Sequence, residues 1–183
     1  MAINVTEELN KINEIIKTNG KLSPKDRSAI PQMEMPARDP KTRAREMAEV
    51  ALGYSAEQAI VEANRCLQCP KPFCMEGCPV NINIPKFIGE IAKGEFKAAV
   101  DTIKETSLLP AICGRVCPQE KQCQGKCTVG KVYKSAEKAV SIGRLERFVA
   151  DWERENGKVT PPTVAPKTGK KVAIIGAGPA GLT

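Results

Sequence analysis

The two stretches that decide the fold are CLQCPKPFCMEGCP at residues 66–79 and CGRVCPQEKQCQGKC at residues 113–127. Together they contain all 8 cysteines of the 183-residue chain, and each stretch holds half of them. The spacing is Cys-x2-Cys-x4-Cys-x3-Cys-Pro in the first and Cys-x3-Cys-Pro-x4-Cys-x3-Cys in the second. Because both contain Cys-x3-Cys-Pro, the pattern indicates an imperfect internal repeat and predicts two metal sites with four ligands each.

Three kinds of bond could occupy these cysteines: disulfides, structural zinc sites or iron–sulfur clusters. The N-terminus lacks the features of a secretory signal, and no apolar stretch approaches membrane-span length. We therefore expect a cytoplasmic protein with no membrane association, where thiols bind metal more often than they form disulfides. Four cysteines would suit zinc, but only one of the short spacings is the Cys-x2-Cys that is common in zinc sites.

Iron–sulfur clusters account for the spacing best. In two-cluster bacterial ferredoxins the ligand run ends in Cys-x3-Cys-Pro, and that last cysteine binds the other cluster. Applied to both stretches, this rule assigns the first cluster to Cys66, Cys69, Cys74 and Cys127. The second cluster takes Cys78 and some of Cys113, Cys117 and Cys123. Clusters with interleaved ligands must be close neighbours, which favours electron transfer; a zinc-stabilised, non-redox binding module is the alternative from another class.

The composition excludes several other functions. The chain has no histidine, which removes histidine-ligated zinc, histidine-ligated haem, Rieske-type clusters and any histidine general base. No serine, cysteine or carboxylate set suggests a nucleophile with a base, so no catalytic residue is predicted. The net charge is +7, but no dense basic run contains the interleaved aromatics of a nucleic-acid groove, and we predict no nucleic-acid binding.

The chain divides into four regions. Residues 1–40 are an N-terminal helix (6–18) and a proline-rich, extended arm (19–40); residues 41–155 are a helical cysteine-rich domain; residues 156–170 are a linker; residues 171–183 open a different domain. Within the domain, 41–52 can be helical, and Ser55 with Gln58 forms a capping box for a helix to Arg65. Further helices are predicted over 85–93 and 95–105, and from a cap at Ser141 to Trp152.

The last region carries a glycine motif. A buried-strand pattern at Lys171–Ile175 is followed by Gly176, Gly178 and Gly181 in the spacing G-x-G-x-x-G. These glycines give the tight turn and the close approach to pyrophosphate of a dinucleotide site. The helix and the acidic residue that complete such a site lie beyond Thr183, so we expect FAD and NADP(H) to bind only a longer protein.

Four segments carry a resemblance to a known family: GYSAEQAI at 53–60, RCLQCPKPFCMEGCPV at 65–80, CGRVCP at 113–118 and IGRLERF at 142–148. With the glycine motif, they make residues 31–183 resemble the N-terminal iron–sulfur domain of the NADPH-dependent glutamate synthase small-subunit family. That family also includes the larger subunit of NADP:ferredoxin bifurcating reductases, also called sulfide dehydrogenase, and the N-terminal part of dihydropyrimidine dehydrogenase.

The resemblance implies an all-α, ferredoxin-like domain with two 4Fe-4S clusters, followed by FAD- and NADPH-binding domains. It implies that electrons pass from NAD(P)H through FAD and the clusters to a partner, either a glutamate synthase large subunit or another redox subunit. It also implies that Glu146, not Cys113, completes the second cluster and that Cys113 is a spare thiol. In a helical projection, Glu146 borders the apolar stripe of Ile142, Leu145 and Val149.

Overall fold

The structure, a computed structural model, describes residues 3–157, 159, 161 and 163–182. Within these ranges the chain is helical and contains no β-strand, which confirms the all-α prediction. The helices are α1 (Val5–Asn19), α2 (Pro24–Ala29), α3 (Pro40–Arg43), α4 (Ala56–Asn64), α5 (Phe73–Glu76), α6 (Ile84–Ala92), α7 (Phe96–Lys104), α8 (Pro110–Val116), α9 (Cys123–Lys126), α10 (Thr128–Val132), the 3₁₀ turn η1 (Ala136–Lys138), α11 (Ile142–Glu155) and α12 (Pro179–Leu182). None of the described helices is both long and apolar enough to cross a membrane.

The helices around the cysteines begin close to where the sequence places them. The capping box at the start of α4 is present: the Ser55 side chain accepts from the Gln58 amide, and the Gln58 side chain accepts from the Ser55 amide. Helices α6 and α7 match the predicted ranges within two residues. Ser141 is the residue before α11, as predicted, but its side chain makes no hydrogen bond to the first turn and therefore does not cap the helix.

Two predictions for the N-terminal half are wrong. The arm over 19–40 is not extended throughout, because a capping box between Ser23 and Asp26 starts helix α2 with Pro24 at its first turn. Proline is tolerated there, since the first-turn N–H has no helical partner. Residues 41–52 are helical only to Arg43. The backbone around Val50 pairs with the arm instead, because the Arg38 amide donates to the Val50 carbonyl at 2.9 Å.

Helices α4, α6, α7 and α11 enclose the main core. Its fully buried side chains are mostly aliphatic, as the low aromatic content requires: Val61, Ile84, Ile88, Ile91, Val100, Ile103, Leu145 and Val149. Phe87 and Tyr54 are also buried, and at the α7–α11 contact Phe96 meets Phe148 and Trp152 edge-on at centroid distances of 5.0 and 5.6 Å. Burial of these apolar faces supplies the main driving force for assembling the short helices.

A buried ion pair ties this core to the arm and to α11. Glu62, which is fully buried, accepts from Arg65 at 2.6 Å, from the Ser141 amide at 2.9 Å and from the Met33 amide at 2.8 Å. Arg65 also donates to the backbone carbonyls of Lys138 and Ala139. Both oxygens of Glu62 and both terminal nitrogens of Arg65 therefore have hydrogen-bond partners, which a buried ion pair requires if it is not to destabilise the fold.

Residues 171–175 do not form the expected strand. Val172 and Ile175 are exposed, and no other strand lies beside them among the described residues. A strand needs neighbours for its backbone hydrogen bonds, and an apolar sequence cannot supply them alone. The glycine turn itself is present: α12 begins at Pro179, and a Cβ on Gly181 would lie 2.2 Å from the Gly176 carbonyl oxygen.

Helices α8 and α11 cross so closely that only glycine fits at the contact. A Cβ on Gly114 of α8 would lie 2.6 Å from the backbone nitrogen of Arg147 and 2.8 Å from the carbonyl oxygen of Gly143. At Gly143 a Cβ would instead meet the end of the Gln119 side chain, which can move. The two glycines therefore form a matched pair, one facing backbone and the other facing a flexible side chain.

We predict that Gly114→Ala lowers the free energy of unfolding by about 1–3 kcal/mol, because α8 must move away from α11. Gly143→Ala should cost less, since Gln119 can turn aside. Urea unfolding under anaerobic conditions, followed by circular dichroism, measures both. Equal effects of the two substitutions would contradict the close backbone crossing.

Candidate metal centre

Four cysteines from the two stretches line one cavity. They are the set that the crossing rule assigns together: Cys66, Cys69, Cys74 and Cys127. The rest of the wall is almost entirely apolar and comes from four helices and the intervening loops: Leu67, Pro72, Phe73, Ile84, Pro85, Ile88, Thr128, Val129, Val140 and Ile142. An apolar wall of this kind limits access of water and strengthens electrostatic interactions between charged groups inside it.

Local backbone geometry brings the first three thiols to this cavity. Helix α4 ends at Asn64, and the Cys66 amide continues its last turn by donating to the Ala63 carbonyl at 3.1 Å. Gln68 has φ of +51°, a left-handed conformation that turns the chain sharply between Cys66 and Cys69. Cys74 then follows on the one-turn helix α5.

The fourth thiol arrives from the second stretch. Cys127 has an extended backbone between the end of α9 and the start of α10, with φ of −61° and ψ of 130°. The adjoining Thr128 hydroxyl lies 3.5 Å from the Cys69 sulfur, a contact that the cysteine spacing did not predict. The two cysteine stretches are thus joined at this cavity.

Burial and mutual repulsion resist ionisation of these thiols in the metal-free chain. Burial raises the pKa of Cys66 to about 11 and that of Cys74 to about 12, and charge on Cys127 and Cys69 pushes both in the same direction. Four thiolates can share such a cavity only if a cationic group compensates for them. The donor set and its surroundings therefore fit a metal centre.

A second group contains the other predicted ligands. The pKa of Cys117 is raised to about 11 by burial, and then by the neighbouring Cys113, Glu146 and Cys78. Burial likewise raises the pKa of Cys123 to about 12, with Cys78 and Glu146 adding to it. The structure thus places Cys78 and Glu146 within electrostatic reach of both Cys117 and Cys123. It also places Cys113 beside Cys117, so proximity alone does not separate Cys113 from this group.

Glu146 is a buried acid whose carboxylate is not fully hydrogen-bonded. Its side chain on α11 is only 7% exposed, yet Oε1 has no hydrogen-bond partner. Burial raises its pKa to about 7. Glu62, by contrast, has partners for both of its oxygens. A buried carboxylate oxygen without a partner is costly, and a metal ligated by the nearby thiols would satisfy it.

The spacing of the thiols in the cavity suits a four-iron cluster better than a single zinc ion. All eight cysteines are free, and among the described residues no three acidic or thiol side chains converge tightly enough to hold a single ion. Zinc draws its four sulfurs to about 2.3 Å from one point. A four-iron cluster instead offers each thiolate a separate iron, so its ligands surround a cavity, as the first set does.

The comparisons with known proteins agree with this chemistry. The family described as dihydropyrimidine dehydrogenase domain II, 4Fe-4S cluster, matches residues 43–158. The chain belongs to this family. It is an iron–sulfur electron-transfer domain of the type found in glutamate synthase small-subunit-like and dihydropyrimidine dehydrogenase-like proteins. The match confirms the resemblance expected from the sequence motifs.

Several curated relatives are similar over most of the chain. The glutamate synthase (NADPH) small chain of Azospirillum brasilense is 40% identical over 140 residues, which are 76% of this chain and 28% of the relative. The corresponding protein of Escherichia coli is 39% identical over 153 residues, 84% of this chain and 32% of the relative. The NAD-dependent dihydropyrimidine dehydrogenase subunit PreT of Escherichia coli is 45% identical over 135 residues, 73% of this chain and 31% of the relative. The chain therefore spans less than a third of these relatives.

We predict that Glu146→Ala reduces the iron content of the anaerobically purified chain by up to about four atoms, since one set would lose its fourth ligand. Glu146→Gln keeps an oxygen donor and should retain more iron, and Cys113→Ala should retain all of it. Iron and acid-labile sulfide analysis measures each variant. The ligand assignment is wrong if iron falls in Cys113→Ala and not in Glu146→Ala.

Proposed function

We propose that this domain binds two 4Fe-4S clusters and relays single electrons between them. The observation that carries the proposal is that the predicted first set, drawn from both cysteine stretches, lines one cavity. Support for the second set is the unpartnered oxygen of Glu146 and its electrostatic influence on Cys117 and Cys123. The first set consists of Cys66, Cys69, Cys74 and Cys127, and the second of Cys78, Cys117, Cys123 and Glu146.

The two sites would differ in chemistry because their ligands differ. Four soft thiolates favour iron and concentrate negative charge in the first site. In the second site a carboxylate replaces one thiolate and is a harder ligand, which alters the charge and lability of the bound group. The apolar side chains around the first cavity keep water away from its sulfurs. Eight free thiols suit the reducing cytoplasm, where we propose that the protein works.

We further infer that the electrons come from NAD(P)H through FAD, in a flavin domain that begins with Gly176, Gly178 and Gly181. The support is the glycine spacing, the turn into α12 and the oxidoreductase names of the relatives. On this proposal the partner is a glutamate synthase large subunit. A second candidate is a dihydropyrimidine dehydrogenase subunit, favoured by the 45% identity to the Escherichia coli subunit PreT.

The metal content tests the cluster proposal directly. We expect a brown protein with about eight iron and eight sulfide per chain after anaerobic purification. We also expect Cys66→Ser and Cys127→Ser each to remove about four irons, and the double variant to remove no more, because the two thiols belong to one set. Combining Cys66→Ser with Cys123→Ser should remove nearly all the iron.

Two outcomes would contradict this. About two zinc atoms per chain and no sulfide would support a structural zinc module instead. The division into two sets would also be wrong if the double variant Cys66→Ser with Cys127→Ser lost as much iron as Cys66→Ser with Cys123→Ser.

The acceptor is tested on the native protein that carries this domain. We expect NADPH oxidation to depend on glutamine with 2-oxoglutarate when the large subunit is present. Oxidation that instead requires uracil or thymine would favour the dihydropyrimidine dehydrogenase candidate. Oxidation coupled only to ferredoxin or to sulfide would favour the bifurcating reductase or sulfide dehydrogenase alternative.

A further inference from the structure

The N-terminal segment, residues 3–42, contacts the backbone of Cys66, although it lies outside residues 43–158 that define the family match. Helix α2 is held in place by its capping box and by the burial of Leu22 before it and Ile30 after it. Of its side chains, Arg27 turns inward and is partly buried. The segment is therefore a packed part of the domain, and Arg27 contacts the backbone of a predicted ligand.

Arg27 binds the backbone at the point where α4 leads into the first ligand. Its Nη1 donates to the Asn64 carbonyl at 3.0 Å and to the Cys66 carbonyl at 2.9 Å. The first of these carbonyls belongs to the C-terminal end of α4, where a positive charge is favourable. No carboxylate pairs with Arg27 in the part of the chain that the structure describes, so its charge is not neutralised by an acid.

Helix α2 also contacts the segment that supplies the fourth ligand. Tyr133, directly after α10, donates from its hydroxyl to the Ser28 carbonyl at 3.1 Å. Helix α10 begins immediately after Cys127. Two adjacent residues of α2 therefore contact the two segments that supply the first set: Arg27 binds the backbone of Cys66, and Ser28 binds Tyr133 at the end of the helix that follows Cys127.

We propose that Arg27 is a positioning residue for the first cluster: it fixes the backbone of Cys66 and raises the cluster's reduction potential by placing a cation beside it. This inference rests on the proposed function. A fixed positive charge favours the reduced state, which carries one more negative charge, and the net charge around a cluster is one of the factors that set its potential.

Redox titration of the iron-loaded chain, followed by electron paramagnetic resonance, tests the proposal. In Arg27→Gln we expect one of the two midpoint potentials to become more negative and the other to stay unchanged. Arg27→Lys retains the charge and should stay closer to the unsubstituted protein. Lys25→Gln is the matched control, because it removes the same charge from an exposed position of α2, and both of its potentials should be unchanged.

A second readout follows the positioning role. Iron release to a chelator under anaerobic conditions should be faster in Arg27→Gln and in Tyr133→Phe than in the Lys25→Gln control. The inference is overturned if Arg27→Gln leaves both potentials unchanged, if Arg27→Lys shifts them as far as Arg27→Gln, or if Lys25→Gln shifts them equally. If the unsubstituted chain binds no iron, the proposed function itself is refuted. If the chain binds iron but gives one of these three contradicting results, only the role of Arg27 is refuted.

Discussion

The buried ion pair between Glu62 and Arg65 joins the parts of the chain that supply the first thiol set. Arg65 immediately precedes Cys66, and its guanidinium binds the carbonyls of Lys138 and Ala139 in the segment that follows α10. The two cysteine stretches are separated by α6 and α7, so their thiols can share a cavity only if these distant segments are fixed together. The ion pair provides that attachment, and Glu62 extends it by accepting hydrogen bonds from Met33 in the arm and from Ser141 before α11.

The second set depends on a different constraint, the close crossing of α8 and α11. Helix α8 leads to Cys117, and α11 carries Glu146 one turn from its start. Because Gly114 lets the two backbones approach closely, a carboxylate on one helix reaches the neighbourhood of thiols on the other. The same packing removes Glu146 from water and leaves one of its oxygens without a partner. A buried oxygen without a partner is unfavourable, and this is the observation on which we propose Glu146 as a ligand.

Much of this domain could be predicted from the sequence, because its strongest signals are local. The capping box at Ser55 fixes the start of α4, and the cysteine spacing predicts which thiols share a cavity. The helical projection placed Glu146 at the edge of a stripe, but only the crossing of two helices determines that it is buried. The error at 41–52 arose because tertiary pairing overrides helical propensity, and the error at 171–175 because a strand requires neighbours.

Diffraction at the iron absorption edge, from crystals grown without oxygen, tests the central claim most directly. The account predicts two compact groups of four irons. One should be bound by Cys66, Cys69, Cys74 and Cys127, and the other by Cys78, Cys117, Cys123 and Glu146. Single zinc ions at these positions, sulfurs bonded to each other, or an iron group bound only by cysteines of one stretch would contradict the account.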